Sequence, residues 1–308
     1  MRPLVVGTRK SELALTQTNW VVNRLQEVCP GLDVSLEKIV TKGDRILNVT
    51  LSKVGGKGLF VKEIEQALLD GRIDFAVHSM KDMPAVMPKG LVIGAIPVRE
   101  NPHDCLISRD GSTLSDLPSG AVVGTSSLRR QAQILACRPD LTVEPVRGNL
   151  GTRISKMKNG QFDAIILAAA GLSRMDWQEK INQELSFDQM LPAVGQGALA
   201  IQCREDDREL LEALQKINHE ETARAVRAER AFLQSFQGGC HLPLAGYAAV
   251  TGERVRLTGL VAQPDGKKII KATMEGQDEW ALGKQLANKL ADEGAAELLA
   301  TVREGLVG

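Results

Sequence analysis

Six arginines stand where the chain passes, by its pattern, from a strand into a helix. Arg9 lies in Thr8-Arg9-Lys10-Ser11, and Arg129 and Arg130 follow Gly124-Thr125-Ser126-Ser127-Leu128. Arg147 and Arg153 flank Gly148-Asn149-Leu150-Gly151-Thr152, and Arg174 closes Gly171-Leu172-Ser173. Small polar turns of this kind present backbone N–H groups and hydroxyls at a helix N-terminus, which suits an anion. Guanidinium groups add bidentate, permanently charged donors for carboxylates or phosphates. Any one of these arginines could equally be a solvated surface residue, but six at such junctions point to a ligand with several acidic groups. One acid appears among the cations: Asp82, in His78-Ser79-Met80-Lys81-Asp82-Met83-Pro84. It is either a turn cap before Pro84 or a catalytic carboxylate. Cys240, in Gly238-Gly239-Cys240-His241, has free backbone access and a neighbouring imidazole that favours a thiolate. Between these, Thr41–Phe60 is dense in glycine and lysine and reads as a cationic flap. Its Lys57 is followed by Gly58 rather than Ser or Thr, so it is not a nucleotide phosphate loop.

Composition narrows the classes. Lys plus Arg number 38 and Asp plus Glu 38, so no net basic surface favours nucleic acid or an anionic membrane. The longest apolar stretches, such as Ala164–Leu172, fall short of the roughly 20 residues that span a bilayer. The opening residues lack the apolar core of a secretory signal, and a cytoplasmic protein is expected. The five cysteines are odd in number and irregularly spaced with no CxxC, and with only four histidines no metal site is indicated. A balanced charge and the lack of a coiled-coil pattern are compatible with a monomer.

The elements that must position these residues alternate. Strands are predicted at Leu4–Val6, Val34–Val40, Phe75–His78 and Leu91–Ile96, with helices over Glu12–Glu27 and Leu59–Leu69. The pattern restarts with strands at Ala121–Val123, Leu141–Val146 and Ala164–Ala168, and helices at Leu128–Cys137 and Thr152–Lys158. Such alternation predicts parallel α/β sheets in two lobes of similar build. In an open parallel sheet the loops at the strands' C-terminal ends converge on one crevice, where the arginines would meet. Leu199–Cys203 is expected to return to the first lobe, leaving hinge strands near Pro97–Asp104 and Leu191–Gln196. The division is thus residues 1–98 with 196–218, residues 103–192, and an α+β unit over 221–308. That last unit is predicted to hold a long helix, strands Leu244–Val250, Val255–Val261 and Lys268–Met274, and a helix from Asp278. Two readings other than a condensing enzyme use the same residues: a two-lobed receptor for a small dicarboxylate, and a group-transfer enzyme with Cys240 as transient nucleophile.

The motifs together resemble the porphobilinogen deaminase family. Those that carry the likeness are Thr8–Leu15, Val54–Phe60, His78–Asp82, Gly124–Gln131, Arg147–Asn149, Ala193–Gly197 and Gly238–Cys240, in that family's order and spacing over nearly the whole chain. The resemblance implies two lobes similar to type II periplasmic binding proteins plus a C-terminal α+β domain with a three-stranded sheet. It implies a dipyrromethane cofactor in thioether linkage to Cys240, on which four porphobilinogen molecules are condensed with loss of ammonia before hydrolysis releases hydroxymethylbilane. Asp82 would be the catalytic group. Lys81, Thr125, Ser126, Ser127, Arg129 and Arg130, with Asp82, would hold the cofactor. Arg9, Ser11, Gln17, Arg147, Arg153, Arg174 and Gln196 would hold the substrate and growing chain, with Lys53, Lys57 and Phe60 of the flap. The chain departs from the pattern at Lys42, where arginine is common, and at Thr16, where an aromatic residue is common.

Overall fold

A computed structural model of the chain describes residues 1–45, 61–239 and 242–307. The first sheet has the order β2-β1-β3-β10-β4, where β1 is Leu4–Arg9, β2 Val34–Ile39, β3 Phe75–Ser79, β4 Leu91–Ala95 and β10 Leu199–Arg204. The second sheet has the order β7-β6-β8-β5-β9, where β5 is Asp104–Ser108, β6 Val122–Gly124, β7 Thr142–Glu144, β8 Ala164–Ala168 and β9 Gln183–Glu184. In each, four strands run in one direction and one, β10 or β5, runs against them. The two lobes therefore share one wiring, and in each the antiparallel strand is the one that has just crossed from the other lobe. Central strands β3 and β8 are buried along nearly their whole length, as strands covered on both faces must be.

The βα junctions are built by capping. Helix α1 (Glu12–Val28) starts on Ser11, whose side chain accepts from the Ala14 N–H, and buries Gln17, Thr18, Val21 and Leu25 on one face. Helix α2 (Lys62–Leu69) follows in the first lobe. Helices α3 (Leu128–Cys137) and α4 (Leu150–Lys158) start on Ser127 and Asn149, each capping by its side chain. A short helix α5 (Ala169–Ser173) follows β8, and α6 (Arg208–Gln215) follows β10.

The C-terminal unit is an antiparallel meander of β11 (Leu244–Thr251), β12 (Arg254–Ala262) and β13 (Ile269–Gly276). Helix α7 (Glu220–Ser235) and helix α8 (Glu279–Leu290) cover one face, around Phe232, Leu257 and Leu286. The single helix expected from Asp278 is in fact two. Asp278 caps α8, and Gly294, at φ 97°, breaks the chain before α9 (Ala296–Val307). Strands β5 and β9 and helices α5 and α6 are likewise additions to the sequence reading. Strand β5 begins with an acid, which disguises an otherwise apolar run; β9 is two residues long.

The two crossings, after β4 and before β10, are bound to each other. The Glu100 N–H donates to the Gly197 carbonyl (3.1 Å), and Arg99 Nε donates to the Gln196 carbonyl (2.8 Å). Glu229 of α7, fully buried, accepts from Arg99 Nη1 (2.6 Å), from the Gly195 N–H (2.6 Å) and from the Ala248 N–H (2.9 Å). One carboxylate of the C-terminal unit thus gathers donors from both crossings and from its own sheet. Gly197 holds φ at +86°, and a Cβ there would lie 2.3 Å from the Glu100 carbonyl oxygen. That oxygen is backbone and cannot swing away.

Gly197→Ala is expected to destabilise the protein by about 2–4 kcal/mol, through backbone strain plus overpacking. Gly252→Ala, where φ is +58° and nothing lies within 4 Å, should cost only about 1–2 kcal/mol. Urea unfolding of the two variants measures the difference, and equal losses would show that the close approach at Gly197 carries no energetic weight.

Candidate active site

The strand ends of both lobes face one cleft. From the first lobe come Leu13 and Gln17 of α1, and Ser79, Lys81 and Asp82 at the end of β3. From the second come Arg130, Arg153, Leu167 and Gly171, and Arg174 lies just past α5. Arg9 and Ser11 line the adjoining recess with His78, Ser79 and Asp82. Eight of the residues singled out in the sequence are thereby brought together: Arg9, Ser11, Gln17, Lys81, Asp82, Arg130, Arg153 and Arg174. The cleft encloses about 570 Å³ including its open mouth.

Asp82 ends the 3₁₀ turn Met80–Asp82 that continues β3. Met80 and Met83 on either side are buried, so the turn is anchored by apolar contacts while Lys81 and Asp82 stay half-buried at the wall. Asp82 lines both the cleft and the adjoining recess. Removal of the Lys81 ammonium from water, with the Arg130 charge acting the same way and Asp82 and Asp104 opposing, pushes its pKa down to about 8. Burial likewise lowers Arg153 and Arg174 to about 10, still charged at neutral pH. Arg153 Nε donates to the Gly148 carbonyl (2.8 Å), and Arg174 Nη2 to the Gly197 carbonyl (2.7 Å), which aims both guanidiniums along the cleft wall. Gln17 Nε2 donates to Ser79 Oγ (3.2 Å), tying α1 to the end of β3. Burial pushes the His78 imidazole down to about 4, with Arg9 acting in the same direction and Gln202 opposing. It is therefore neutral at physiological pH.

Other expected residues lie outside the cleft lining. Arg129 and Arg130 share one buried acid, Asp104, the first residue of β5. Arg129 Nη1 donates to Asp104 Oδ2 (2.6 Å), and Arg130 Nε and Nη2 donate to Oδ1 (2.9 and 2.7 Å). Gln196 Nε2 donates to Asp104 Oδ1 (3.0 Å) and to the Pro102 carbonyl (2.8 Å), and its side chain is fully buried. Arg129 and Gln196 thus hold the crossing together behind the cleft, and only Arg130 also reaches the lining. Thr125, Ser126 and Ser127 build the β6–α3 junction: Ser126 Oγ donates to the Val146 carbonyl, and Thr125 Oγ1 accepts from the Ser127 N–H. Arg147 is half-buried at the end of the second lobe's loop, and burial lowers its pKa. Lys53, Lys57, Phe60 and Cys240 lie outside the described residues. Asp104 is the residue missed in the sequence. Its only signal was an acid opening an apolar run, next to a hinge that needed a counter-charge for two adjacent arginines.

No group of three or more His, Cys, Asp or Glu side chains among the described residues could hold a metal. Nor is any described helix long and apolar enough to cross a membrane. The cation-lined cleft suits a group bearing several carboxylates, and a dipyrromethane with its acetate and propionate arms is such a group. Fold and site together define a two-lobed protein whose cleft, among the described residues, sets Asp82 among cations.

Comparison with known proteins carries this further. Residues 4–212 match the model described as porphobilinogen deaminase, dipyromethane cofactor binding domain, and residues 223–292 match the porphobilinogen deaminase C-terminal domain. The chain is 58% identical over 307 residues to a porphobilinogen deaminase of Geobacillus kaustophilus, covering 99% of each chain. It is 57% identical over 308 residues to that of Bacillus subtilis, covering 99% of this chain and 98% of the relative. A solved periplasmic binding protein of Salmonella typhimurium, described as highly arginine-specific, aligns with TM-score 0.41 and 16% identity over 72% of this chain and 94% of that one. The chain belongs to the porphobilinogen deaminase family. It is a transferase of tetrapyrrole biosynthesis that acts on porphobilinogen with a dipyrromethane cofactor. This sets aside both the simple receptor and the enzyme with a transient cysteine nucleophile.

Burial would raise the Asp104 pKa, but the Arg129 and Arg130 charges overcome it and hold the carboxyl well below its ordinary range. A depressed folded-state pKa contributes stability that is complete above the unfolded value of about 4 and is lost as pH falls toward the folded one. Asp104→Asn should therefore cost about 3–5 kcal/mol at pH 7, since two buried guanidiniums lose their counter-charge. The gap to the unaltered protein should narrow below about pH 4. Urea midpoints between pH 7 and pH 3 check this; a gap constant over that range would mean that Asp104 folds uncharged.

Proposed function

We propose that Asp82 is the catalytic carboxylate, that the cleft arginines bind the acetate and propionate groups of substrate and product, and that Cys240 carries the cofactor. The observation that supports this best is the position of Asp82: one carboxylate at the wall of a cleft otherwise lined by Lys81, Arg130, Arg153 and Arg174. A pure anion receptor gains nothing from an acid there, whereas a reaction that develops positive charge does.

The cofactor would supply the free pyrrole carbon that takes the first substrate unit, and each later unit would join the ring added before it, that ring carbon giving up its proton as the new C–C bond replaces the C–N bond to ammonia. Arg9, Ser11, Arg153 and Arg174 orient the incoming porphobilinogen through its carboxylates, with Arg147 at the rim and Gln17 holding Ser79. Arg130 and Lys81 hold carboxylates already in the cleft, and Thr125, Ser126 and Ser127 shape the β6–α3 junction beside them. When the substrate's aminomethyl C–N bond breaks and ammonia leaves, positive charge spreads over its ring. Asp82 stabilises that charge electrostatically and is placed to take part in the proton transfers that accompany ammonia loss and restore the ring. Arg129 and Gln196 act one step removed, through Asp104. Lys53, Lys57 and Phe60 are assigned to shield the intermediate and to neutralise product acids.

Four such additions and a final hydrolysis give hydroxymethylbilane. The units 1–98 with 196–218, 103–192 and 221–308 are assigned as three domains, moving at the two crossings as the chain grows. The enzyme is assigned as a cytoplasmic monomer with no nucleic-acid partner, in keeping with its balanced charge of 38 against 38.

Intact-protein mass should exceed the polypeptide's own by one adduct of two linked pyrroles, and Cys240→Ala should lack the adduct and activity. An active wild-type protein that weighs only its amino acids ends the proposal. Asp82→Asn should fold normally and carry the adduct, while kcat falls by roughly two to three orders of magnitude. Near-normal turnover would remove Asp82 from its role.

A further inference from the structure

Helix α7 of the C-terminal unit contacts the catalytic turn directly. Arg230, only 7% exposed, donates from Nη2 to the carbonyls of Pro84 (2.9 Å) and Ala85 (3.3 Å). Its Nη1 lies 3.9 Å from Met80 Sδ. Among the described residues no carboxylate pairs with it, and its pKa is lowered to about 10 by burial alone. Placing a full charge here is costly, and an apolar side chain of similar length would fill the space without that cost. What the guanidinium provides instead is hydrogen bonds from Nη2 to two carbonyls just beyond Asp82, those of Pro84 and Ala85.

The rest of the turn is held from the opposite side. The Met80 N–H donates to the Ala198 carbonyl (2.9 Å), and the Met83 N–H closes the turn on the Met80 carbonyl (3.1 Å). Met80, Met83, Ala198, Ala200 and Val226 form one buried cluster. Val226 stands one helical turn before Arg230, so one face of α7 supplies both the apolar backing and the clamp. Its neighbour Glu229 binds the two crossings at the same level of the helix. Five residues beyond the end of α7 comes Cys240.

We propose that Arg230 is a positioning residue for Asp82: by clamping the Pro84 and Ala85 carbonyls, it keeps the Met80–Asp82 turn in register with α7 of the C-terminal unit. The C-terminal unit then sets where the carboxylate stands in the cleft. The proposal rests on the reading of Asp82 given above.

The test uses Arg230→Met and Arg230→Lys, alone and combined with Asp82→Asn, each first weighed intact for its cofactor. Arg230→Met should keep the adduct and lower kcat roughly 30- to 100-fold, the scale of a displacement of about 1 Å, with KM changed by less than about threefold. Amide exchange over residues 80–87 should quicken by about tenfold or more while the three sheets keep their protection. Arg230→Lys, which keeps the charge and reaches one carbonyl, should recover part of both losses. In an Asp82→Asn background, Arg230→Met should cost less than about threefold further, because the two changes act on one group.

If Asp82→Asn is nearly inactive but Arg230→Met stays within about twofold of wild type, the Arg230 proposal fails and the Asp82 reading stands. If Asp82→Asn turns over normally, the Asp82 reading fails and takes this one with it. A lowered unfolding temperature with unchanged kcat would reduce Arg230 to packing and overturn the proposal. Should Arg230→Met not fold, Arg230→Lys decides: a several-fold loss of kcat with faster exchange at 80–87 supports the clamp, and wild-type values of both refute it.

Discussion

Two lobes joined by two crossing segments need something at the crossing that cannot slide, and here it is a buried carboxylate. Asp104 has no exposure to water and is held by two guanidiniums and an amide. Its partners come from different places: Arg129 and Arg130 from the start of α3, and Gln196 from the turn that leads into β10. A desolvated charge that loses one partner is strongly penalised, so the arrangement tolerates few alternative geometries. Everything the cleft does depends on this, because the same α3 that neutralises Asp104 presents Arg130 to the cleft.

The cleft itself is an electrostatic compromise. Cations crowd together with one open acid, and burial draws Lys81, Arg153 and Arg174 below their ordinary pKa values. Each still carries its charge at neutral pH, so this wall of the cleft is cationic in the folded chain. The backbone does much of the orienting: the Gly148 and Gly197 carbonyls fix two of the guanidiniums before any ligand arrives. Preorganised charge of this kind needs little rearrangement at the moment of reaction.

The C-terminal unit enters this scheme through consecutive residues of one helix. Glu229 binds Arg99 and the Gly195 amide at the crossings, and Arg230 binds the turn beyond Asp82. A helix is stiff over this length, so a contact at either residue is felt at the other. The C-terminal unit is thereby coupled both to the crossings and to the cleft wall.

Much of this was readable along the chain. The strand-to-helix junctions announced themselves by Gly, Ser, Thr and Asn next to arginine, since capping is a local interaction between neighbours in sequence. Asp82 among cations, and the alternation that implies two parallel sheets, were equally local signals. What the sequence could not say is which arginines face the ligand and which face Asp104. Arg129 and Arg130 are adjacent and chemically identical, and only the path of β5, 25 residues earlier for Arg129, decides their partners. Gln196 is buried rather than exposed for the same reason, and Arg230 meets Pro84 across 146 residues. Local propensity and charge determined the elements and the chemical character of the cleft. The division of labour among like residues was decided by long-range packing, because a guanidinium's role depends on which acceptor the fold brings to it.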